Sequence, residues 1–254
     1  MKFLFIGDIV GRAGRRAVRE IMPDLVKEHN IDLVVANGEN AAGGFGLNKK
    51  VAEELFEYGI DILTMGNHTW KNKGIFKFVD QEPRIVRPLN FAPGVPGRGY
   101  SSFLKNGRRI TVVNLIGQIY IGPHDSPFRI IRDQLDTLKR ESDIIIVDFH
   151  AEATGEKGAM GYYLDGKVDC VYGTHTHVQT NDAKILPKGT AFISDLGLTG
   201  AVDSILGMKS EPIVKKHLTG LHTKFEVGTG TVQLAGAIYD HKENTIFPVR
   251  INDA

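Results

Sequence analysis

Five short apolar runs in this chain are each followed at once by a polar side chain able to bind a metal ion, and this arrangement constrains the fold more than any other feature. Phe3 to Ile6 leads to Gly7-Asp8, and Leu33 to Ala36 leads to Asn37-Gly38-Glu39-Asn40. Ile60 to Met65 leads to Gly66-Asn67-His68, and Asp143 to Phe149 to His150. Val168 to Tyr172 leads to Gly173-Thr174-His175-Thr176-His177. Near-continuous apolar runs of this length read as strands buried on both faces. In open α/β sheets ligands bind beyond the C-terminal ends of the strands, so the polar residues are expected along one such edge.

The segments between the runs fit the same plan. Residues 12–28 carry Val18, Ile21 and Leu25 at helical spacing, with Pro23 expected to kink or divide the helix. Lys49 to Tyr58 reads as a helix capped by Asn48. Tyr100 to Leu104 and Ile110 to Leu115 flank Asn106-Gly107, a hairpin turn signal because both residues tolerate positive φ. Pro127 to Arg140 reads as a helix capped by Asp125 or Ser126. Thr190 to Ser194 reads as a strand, residues 211–219 as a helix, and Thr231 to Tyr239 with Thr245 to Arg250 as a closing hairpin. Parallel βα units come first and antiparallel hairpins follow, which predicts an α/β fold of two mixed sheets packed face to face with helices outside. No repeat, low-complexity tract or linker interrupts the chain, so one domain over residues 1–254 is expected.

A chain of 254 residues buries enough surface to need no covalent staple. Cys170 is its one cysteine, which excludes an internal disulfide and a Cys-rich zinc module and fits a reducing compartment. It lies in an apolar run and reads as a buried small hydrophobe. Lys plus Arg total 31 against 30 for Asp plus Glu, a net charge of +1, so broad nucleic-acid binding is not expected. Arg12, Arg15, Arg16 and Arg19 read as a solvated helix face. The first apolar run stops at Asp8, too soon for a signal peptide, and no run reaches the length of about 18 that a membrane span needs. No membrane contact and a cytoplasmic location are expected.

The strand-end residues comprise the carboxylates Asp8 and Glu39, the carboxamides Asn40 and Asn67, and the imidazoles His68, His150, His175 and His177. Nitrogen and oxygen donors without thiolate suit Fe, Mn or Zn. The set is too rich in His for a Mg or Ca cage and too large for one tetrahedral ion. Two ions about 3.5–4 Å apart, sharing a carboxylate, would use all of it. Singly, each element has an ordinary reading: a turn, a hydrogen-bonded core histidine, a loop. His175 and His177 are alternate residues that an extended segment would project alike. Their joint occurrence at successive strand ends is what points to a metal site.

In this order, Gly-Asp, Asn-Gly-Glu-Asn, Gly-Asn-His, His and Gly-x-His-x-His resemble the calcineurin-like metallophosphoesterases. The stretches Gly7-Asp8-Ile9-Val10-Gly11, Asn37-Gly38-Glu39-Asn40-Ala41-Ala42-Gly43-Gly44 and Gly66-Asn67-His68-Thr69-Trp70 are similar to the bacterial YmdB branch, the 2′,3′-cyclic-nucleotide phosphodiesterases. The wider superfamily has His where Val10 stands, a bridging Asp where Glu39 stands, and commonly an acidic residue where Thr69 stands; these departures match the narrower branch.

The resemblance implies a four-layer α/β/β/α sandwich and a dinuclear centre. One metal takes Asp8, Glu39, Asn40 and His177; the other takes Glu39, Asn67, His150 and His175, with Glu39 bridging. It implies two divalent ions, with iron first, manganese next, and zinc still admitted by the ligand types. The substrate implied is a small phosphodiester, a cyclic nucleotide, attacked by a metal-bridged hydroxide, with His68 as general acid. A homo-oligomer is plausible on resemblance alone. Gly43, Gly44 and Phe45 are candidate substrate contacts: small residues admit a ligand close to backbone, and Phe45 can stack on a base or simply pack in a loop. His29, His124, His217, His222 and His241 read as surface or structural. Two readings stay open beside this one: a phosphomonoesterase or general phosphodiesterase of other substrate, and a non-catalytic nucleotide- or RNA-binding regulator.

Overall fold

A computed structural model describes residues 1–253 of the chain. In chain order its first half contains β1 (Lys2–Ile6), β2 (Asp8–Ile9), α1 (Gly11–His29), β3 (Leu33–Asn37), α2 (Lys49–Glu57), β4 (Ile62–Thr64), β5 (Ile85–Val86), β6 (Tyr100–Lys105), β7 (Arg108–Ile116) and α3 (Pro127–Glu141). Then follow β8 (Ile144–His150), α4 (Thr154–Leu164), β9 (Cys170–Thr174), β10 (Lys184–Ile185), β11 (Ala191–Ile193), β12 (Leu198–Ala201), α5 (Ser210–Thr219), β13 (Val232–Asp240) and β14 (Thr245–Asn252). Among the described residues one sheet has the order β2-β12-β13-β1-β3-β4-β5 with β14 on β13, and the other has β10-β11-β9-β8-β7-β6.

Side-chain alternation along each strand builds the layers. Phe3 and Phe5 of β1 point one way and join Leu33, Val35, Ile110, Val112, Ile144, Ile146 and Tyr172 in a core between the sheets. Leu4 and Ile6 point the other way, onto Ala17, Val18, Ile21 and Leu25 of α1 and Val51 and Leu55 of α2. On the far side, Val113, Val147 and Val171 pack against Ile131 and Leu135 of α3 and Met160 and Leu164 of α4. The result is the expected α/β/β/α sandwich, in which successive strand residues serve two different cores.

Local signals held at several points. Asn48 caps α2 by accepting from the Val51 amide at 3.0 Å. Asn106 and Gly107 sit at φ 50° and 73°, joining Lys105 to Arg108 in a tight turn. Elsewhere the structure differs from expectation. Pro23 does not divide α1. It lies on the exposed side of the helix, so the Arg19 carbonyl that loses its partner faces water. At α3, Ser126 is the N-cap residue but makes no side-chain cap, and Asn90 takes the Asp125 carbonyl at 2.8 Å. The arginine face is not uniformly solvated: Arg15 is half-buried on Glu54 at 3.1 Å and on the Ala41 carbonyl at 2.6 Å, and Arg16 reaches Asp253 at 2.7 Å.

The helix α4 was not evident from pattern, because its buried face holds Glu156 and Lys157 and a glycine, Gly161, that gives way to the Phe192 ring. The short strands β2, β5, β10 and β12 carry too few residues to register as periods. Cys170 is fully buried, and burial drives its thiol well above the usual range. Among the described residues no helix is long and apolar enough to cross a membrane.

Phe5 joins the two sheets, stacked on Tyr172 with ring centroids 4.5 Å apart. Phe5→Ala is expected to cost about 3–5 kcal/mol of unfolding free energy, as a large-to-small change in a closed core does, measured by denaturant titration. A loss under about 1 kcal/mol would mean that the facing sheets close over the gap.

Candidate metal centre

β1, β3 and β4 run parallel, as do β7, β8 and β9, and their C-terminal ends meet at one edge of the sandwich. Asp8, Glu39, Asn40 and His150 are buried there, and Asn67, His68, His175 and His177 are partly exposed. Glu39 is central. Its Oε1 lies 3.2 Å from His150 Nε2 and 3.5 Å from His68 Nδ1, while its Oε2 accepts from the His68 amide at 2.8 Å. His150 Nε2 is 2.9 Å from Asn67 Oδ1 and 3.1 Å from His175 Nδ1. Ligand atoms of Glu39, His150 and His175 all fall within 4.8 Å of one another. Beside them Asp8 Oδ1 is 3.6 Å from His177 Nε2, which is 3.2 Å from Asn40 Nδ2. Every donor expected from the sequence is therefore in this one cluster.

The outward nitrogens of His150, His175 and His177 are engaged. His150 Nδ1 lies 2.9 Å from Thr174 Oγ1, and that hydroxyl donates to Asp148 at 2.8 Å. His177 Nδ1 lies 3.0 Å from the Leu206 carbonyl, and His175 Nε2 lies 3.1 Å from Glu152. These acceptors select the tautomer with its proton outward and its lone pair turned into the cluster. The inward nitrogen of His150 then faces the oxygens of Glu39 and Asn67 and the inward nitrogen of His175, acceptor against acceptor. Asp8 Oδ1 is buried with no hydrogen-bond partner at all. Converging buried lone pairs are costly without a cation among them, so the residues present fit divalent metal. Asn40 is oriented differently: its Oδ1 is 2.7 Å from His68 Nδ1, and its Nδ2 faces His177 and Glu39. Half a turn of this carboxamide exchanges the two ends.

The ionisation of the cluster follows from the same contacts. Burial opposes a charge on Asp8, but the attraction of His177 wins and holds the carboxyl far below its ordinary value. Glu39 is likewise held low against burial, chiefly by His150. Burial works against a charge on His177, yet Asp8 raises it to about 9, so a proton occupies the lone pair that a metal would displace. Burial, with His150 alongside, drops His175 to about 3. Burial also lowers His68, against the pull of Glu39. Burial lifts Asp148 to about 7. Shifts of both signs gathered in one cleft are what a functional site produces.

His175 and His177 converge for a reason the sequence did not show. The segment is not extended: the two residues sit at φ 103° and 63°. Positive φ costs a non-glycine residue about 1–3 kcal/mol and persists only where its surroundings impose it. Here Asp8 Oδ2 accepts from the His175 amide at 3.0 Å and Asp195 Oδ2 from the Thr176 amide at 3.1 Å. Asp195 also accepts from the Gly197 amide at 2.8 Å and pairs with Lys157, itself 2% exposed, at 2.5 Å. Asp195 follows the Thr190–Ser194 run, so the strand-end rule could have flagged it; Lys157 carried no sequence signal. Gly66 is a steric requirement, since a Cβ there would lie 2.3 Å from His150 Nε2 and 2.5 Å from Glu39 Oε2.

The centre opens into a pocket of about 450 Å³. Phe45 lines it and meets the His68 ring edge-on, centroids 5.1 Å apart. Gly44 also lines it, with Met208 Cε filling the space a Cβ would take; Gly43 faces open solvent and is not part of the wall. His217, expected to be an ordinary surface residue, is exposed but borders this pocket. His241 pairs with Asp169 at 3.1 Å and has no part in it.

Two facing mixed sheets, helices outside and a nitrogen–oxygen donor cluster at the shared strand edge define a protein of the metallophosphoesterase type. The chain belongs to the YmdB-like protein family, whose pattern it matches over residues 4–253. It is 46% identical over 251 residues, 99% of this chain and 95% of the relative, to the 2′,3′-cyclic-nucleotide 2′-phosphodiesterase of Bacillus subtilis (strain 168). The crystal structure of a hypothetical protein from Thermus thermophilus superposes with a TM-score of 0.94 at 38% identity, covering 100% of both chains. That of a novel phosphatase from Mycoplasma pneumoniae gives 0.91 at 36%, covering 99% of this chain and 93% of the other.

The buried supports of the cluster carry two expectations. Between the unfolded value of 3.8 and the folded value of about 7, Asp148 binds more protons folded than unfolded, so its contribution to stability falls as pH rises through that window. Asp148→Asn should therefore raise the Tm of metal-free protein more at pH 8 than at pH 4 while weakening metal binding about 10–100-fold by loosening His150. Equal Tm changes at both pH values would contradict a strained carboxylate. Lys157→Met leaves Asp195 buried and uncompensated, and should cost about 3–5 kcal/mol in urea unfolding.

Proposed function

We propose that this chain is a dinuclear metal-dependent phosphodiesterase that hydrolyses 2′,3′-cyclic nucleotides. The observation that carries the reading is the convergence of Asp8, Asn40, Asn67, His150, His175 and His177 around the buried carboxylate of Glu39. The 46% identity to a 2′,3′-cyclic-nucleotide 2′-phosphodiesterase supports the substrate class. Asp8, Asn40 and His177 would hold one ion, Asn67, His150 and His175 the other, and Glu39 both. Iron is the first choice of metal and manganese the second, with zinc compatible with the donors. A cytoplasmic site of action, with Cys170 reduced, is part of the reading. When bound, the cations supply Lewis acidity toward the phosphate and lower the pKa of water.

The side chains have separable tasks. The carboxylates of Asp8 and Glu39, ionised despite burial, concentrate negative charge where cations are needed. Asn67 and His150 brace one side of Glu39, and Phe45 supports the ring of His68. In the reaction a water oxygen bonds to phosphorus and the bond from phosphorus to the ribose 2′-oxygen breaks, leaving a nucleoside 3′-phosphate. His68 delivers the proton that the departing oxygen takes up. The ring donates from Nε2 as the imidazolium and is left neutral, and the proton lost by the attacking water passes to solvent.

Two measurements test the reading. Protein purified without oxygen should contain two metal ions per chain and turn over 2′,3′-cyclic AMP in preference to 3′,5′-cyclic AMP and a phosphomonoester, with Asp8→Asn and Glu39→Gln both inactive. Metal-replete protein active only on the other esters would keep the centre and discard the substrate. His68→Ala should retain both metals and lose about 10²–10⁴-fold in kcat on the nucleotide, yet little on a nitrophenyl ester, whose leaving group needs no proton. Equal losses on both esters would remove the acid role.

A further inference from the structure

Above the metal centre the pocket has two unlike halves. Its floor is polar: Glu39, Asn40, His68, His175 and His177. Its far wall is apolar and comes from the segment around α5, as Leu206, Met208, Ile213 and Phe225. Leu206 is 49% exposed and Phe45, across the opening, 41%. Large side chains left open to water inside a concave site mark a place where a ligand covers them. The volume of about 450 Å³ lies within the range of roughly 300–1,000 Å³ typical of small-molecule sites.

The wall is anchored, although α5 itself buries no residue. Ile213 and Phe225 pack on a small cluster of Val10, Leu198 and Met208, and the Thr223 hydroxyl donates to the Pro212 carbonyl at 2.8 Å. Lys216 Nζ stands 5.2 Å from the centroid of the Phe225 ring. The wall is also joined to the chemistry, since the Leu206 carbonyl holds His177 Nδ1 at 3.0 Å.

We propose that Leu206, Met208, Ile213 and Phe225 form the nucleobase subsite of this centre, accepting every base by apolar contact and favouring purines over pyrimidines. The proposal rests on the cyclic-nucleotide reading above. With the cyclic phosphate on the floor, the ribose carries the base upward and away from the donors, toward this wall. The remaining polar side chains of the pocket offer no fixed pattern for reading a base edge. Glu152 is paired with His175, and Thr176 Oγ1 lies 3.5 Å from the Val178 carbonyl. Lys216 and His217 stand on the exposed helix. Discrimination then follows buried apolar area, which is larger for a purine.

The test compares Phe225→Ala and Ile213→Ala with wild type on 2′,3′-cyclic AMP and on methyl ribofuranoside 2′,3′-cyclic phosphate, which has the sugar and the ester but no base. Metal content is measured per chain, and calorimetry follows adenosine 3′-monophosphate binding to the loaded protein. Each variant should lose about tenfold in kcat/KM on the nucleotide, through KM. Each should keep its metal and its rate on the base-free ester, and bind the monophosphate about tenfold more weakly. Wild type should show similar kcat/KM on 2′,3′-cyclic AMP and 2′,3′-cyclic GMP. Equal losses on both esters, no loss on either, or strong preference between the two purines would overturn the subsite. If wild type leaves every cyclic ester intact but binds the monophosphate in a Phe225-dependent way, the subsite stands and the reaction assigned above falls. Intact esters with binding unchanged in Phe225→Ala would remove both.

Discussion

A carboxylate as deeply buried as Glu39, 1% exposed, can stay ionised only if positive charge is brought to it, and the centre is organised around that requirement. The His68 amide meets part of it, His150 turns a lone pair toward the same carboxylate, and Asp8 beside His177 repeats the need next door, so bound cations would supply the rest. Each of these groups is fixed in turn by a partner farther out: Thr174 and Asp148 behind His150, the Leu206 carbonyl behind His177, Glu152 beyond His175. Removing the outer partners would let the rings rotate and the lone pairs relax apart. The fold therefore maintains a set of mutually unfavourable acceptors, which is a form of preorganisation for cations.

The sandwich supplies the rigidity for this. Strands from both sheets end at a common edge, and each is gripped between two cores, so the donor positions inherit the precision of the sheets rather than the freedom of loops. The exceptions are informative. The His175-Thr176-His177 turn leaves the sheet and adopts a costly backbone, and a buried Lys157–Asp195 pair stands directly behind it. The pair also receives the Gly197 amide, so one carboxylate joins β9, α4 and the start of β12. A buried ion pair contributes little net stability by itself; its value here lies in fixing a backbone that would otherwise relax.

Much of the fold was legible because it depends on local rules. The apolar runs, the Asn48 cap and the Asn106-Gly107 turn each follow from a few neighbouring residues. The helix α4 was illegible because its inward side chains answer to a tertiary need: Glu156 accepts from the Gln118 and Ile119 amides at 2.9 and 3.2 Å, and Lys157 donates to Asp195. The donor residues were legible as a set, from chemistry and their positions after strands.

The sequence by itself determined which side chains could bind metal and that strands would carry them to one edge, because side-chain chemistry and hydrophobic periodicity are properties of short segments. Tertiary structure alone decided how those donors face each other. The orientation of the Asn40 carboxamide, the outward tautomers of the histidines and the left-handed backbone at His175 and His177 all depend on partners far away in the chain, up to the 167 residues between Asp8 and His175. So does the apolar wall over the site: the sequence shows a helix over residues 211–219, but Leu206, Met208, Ile213 and Phe225 become one surface only when the chain folds them against the metal centre.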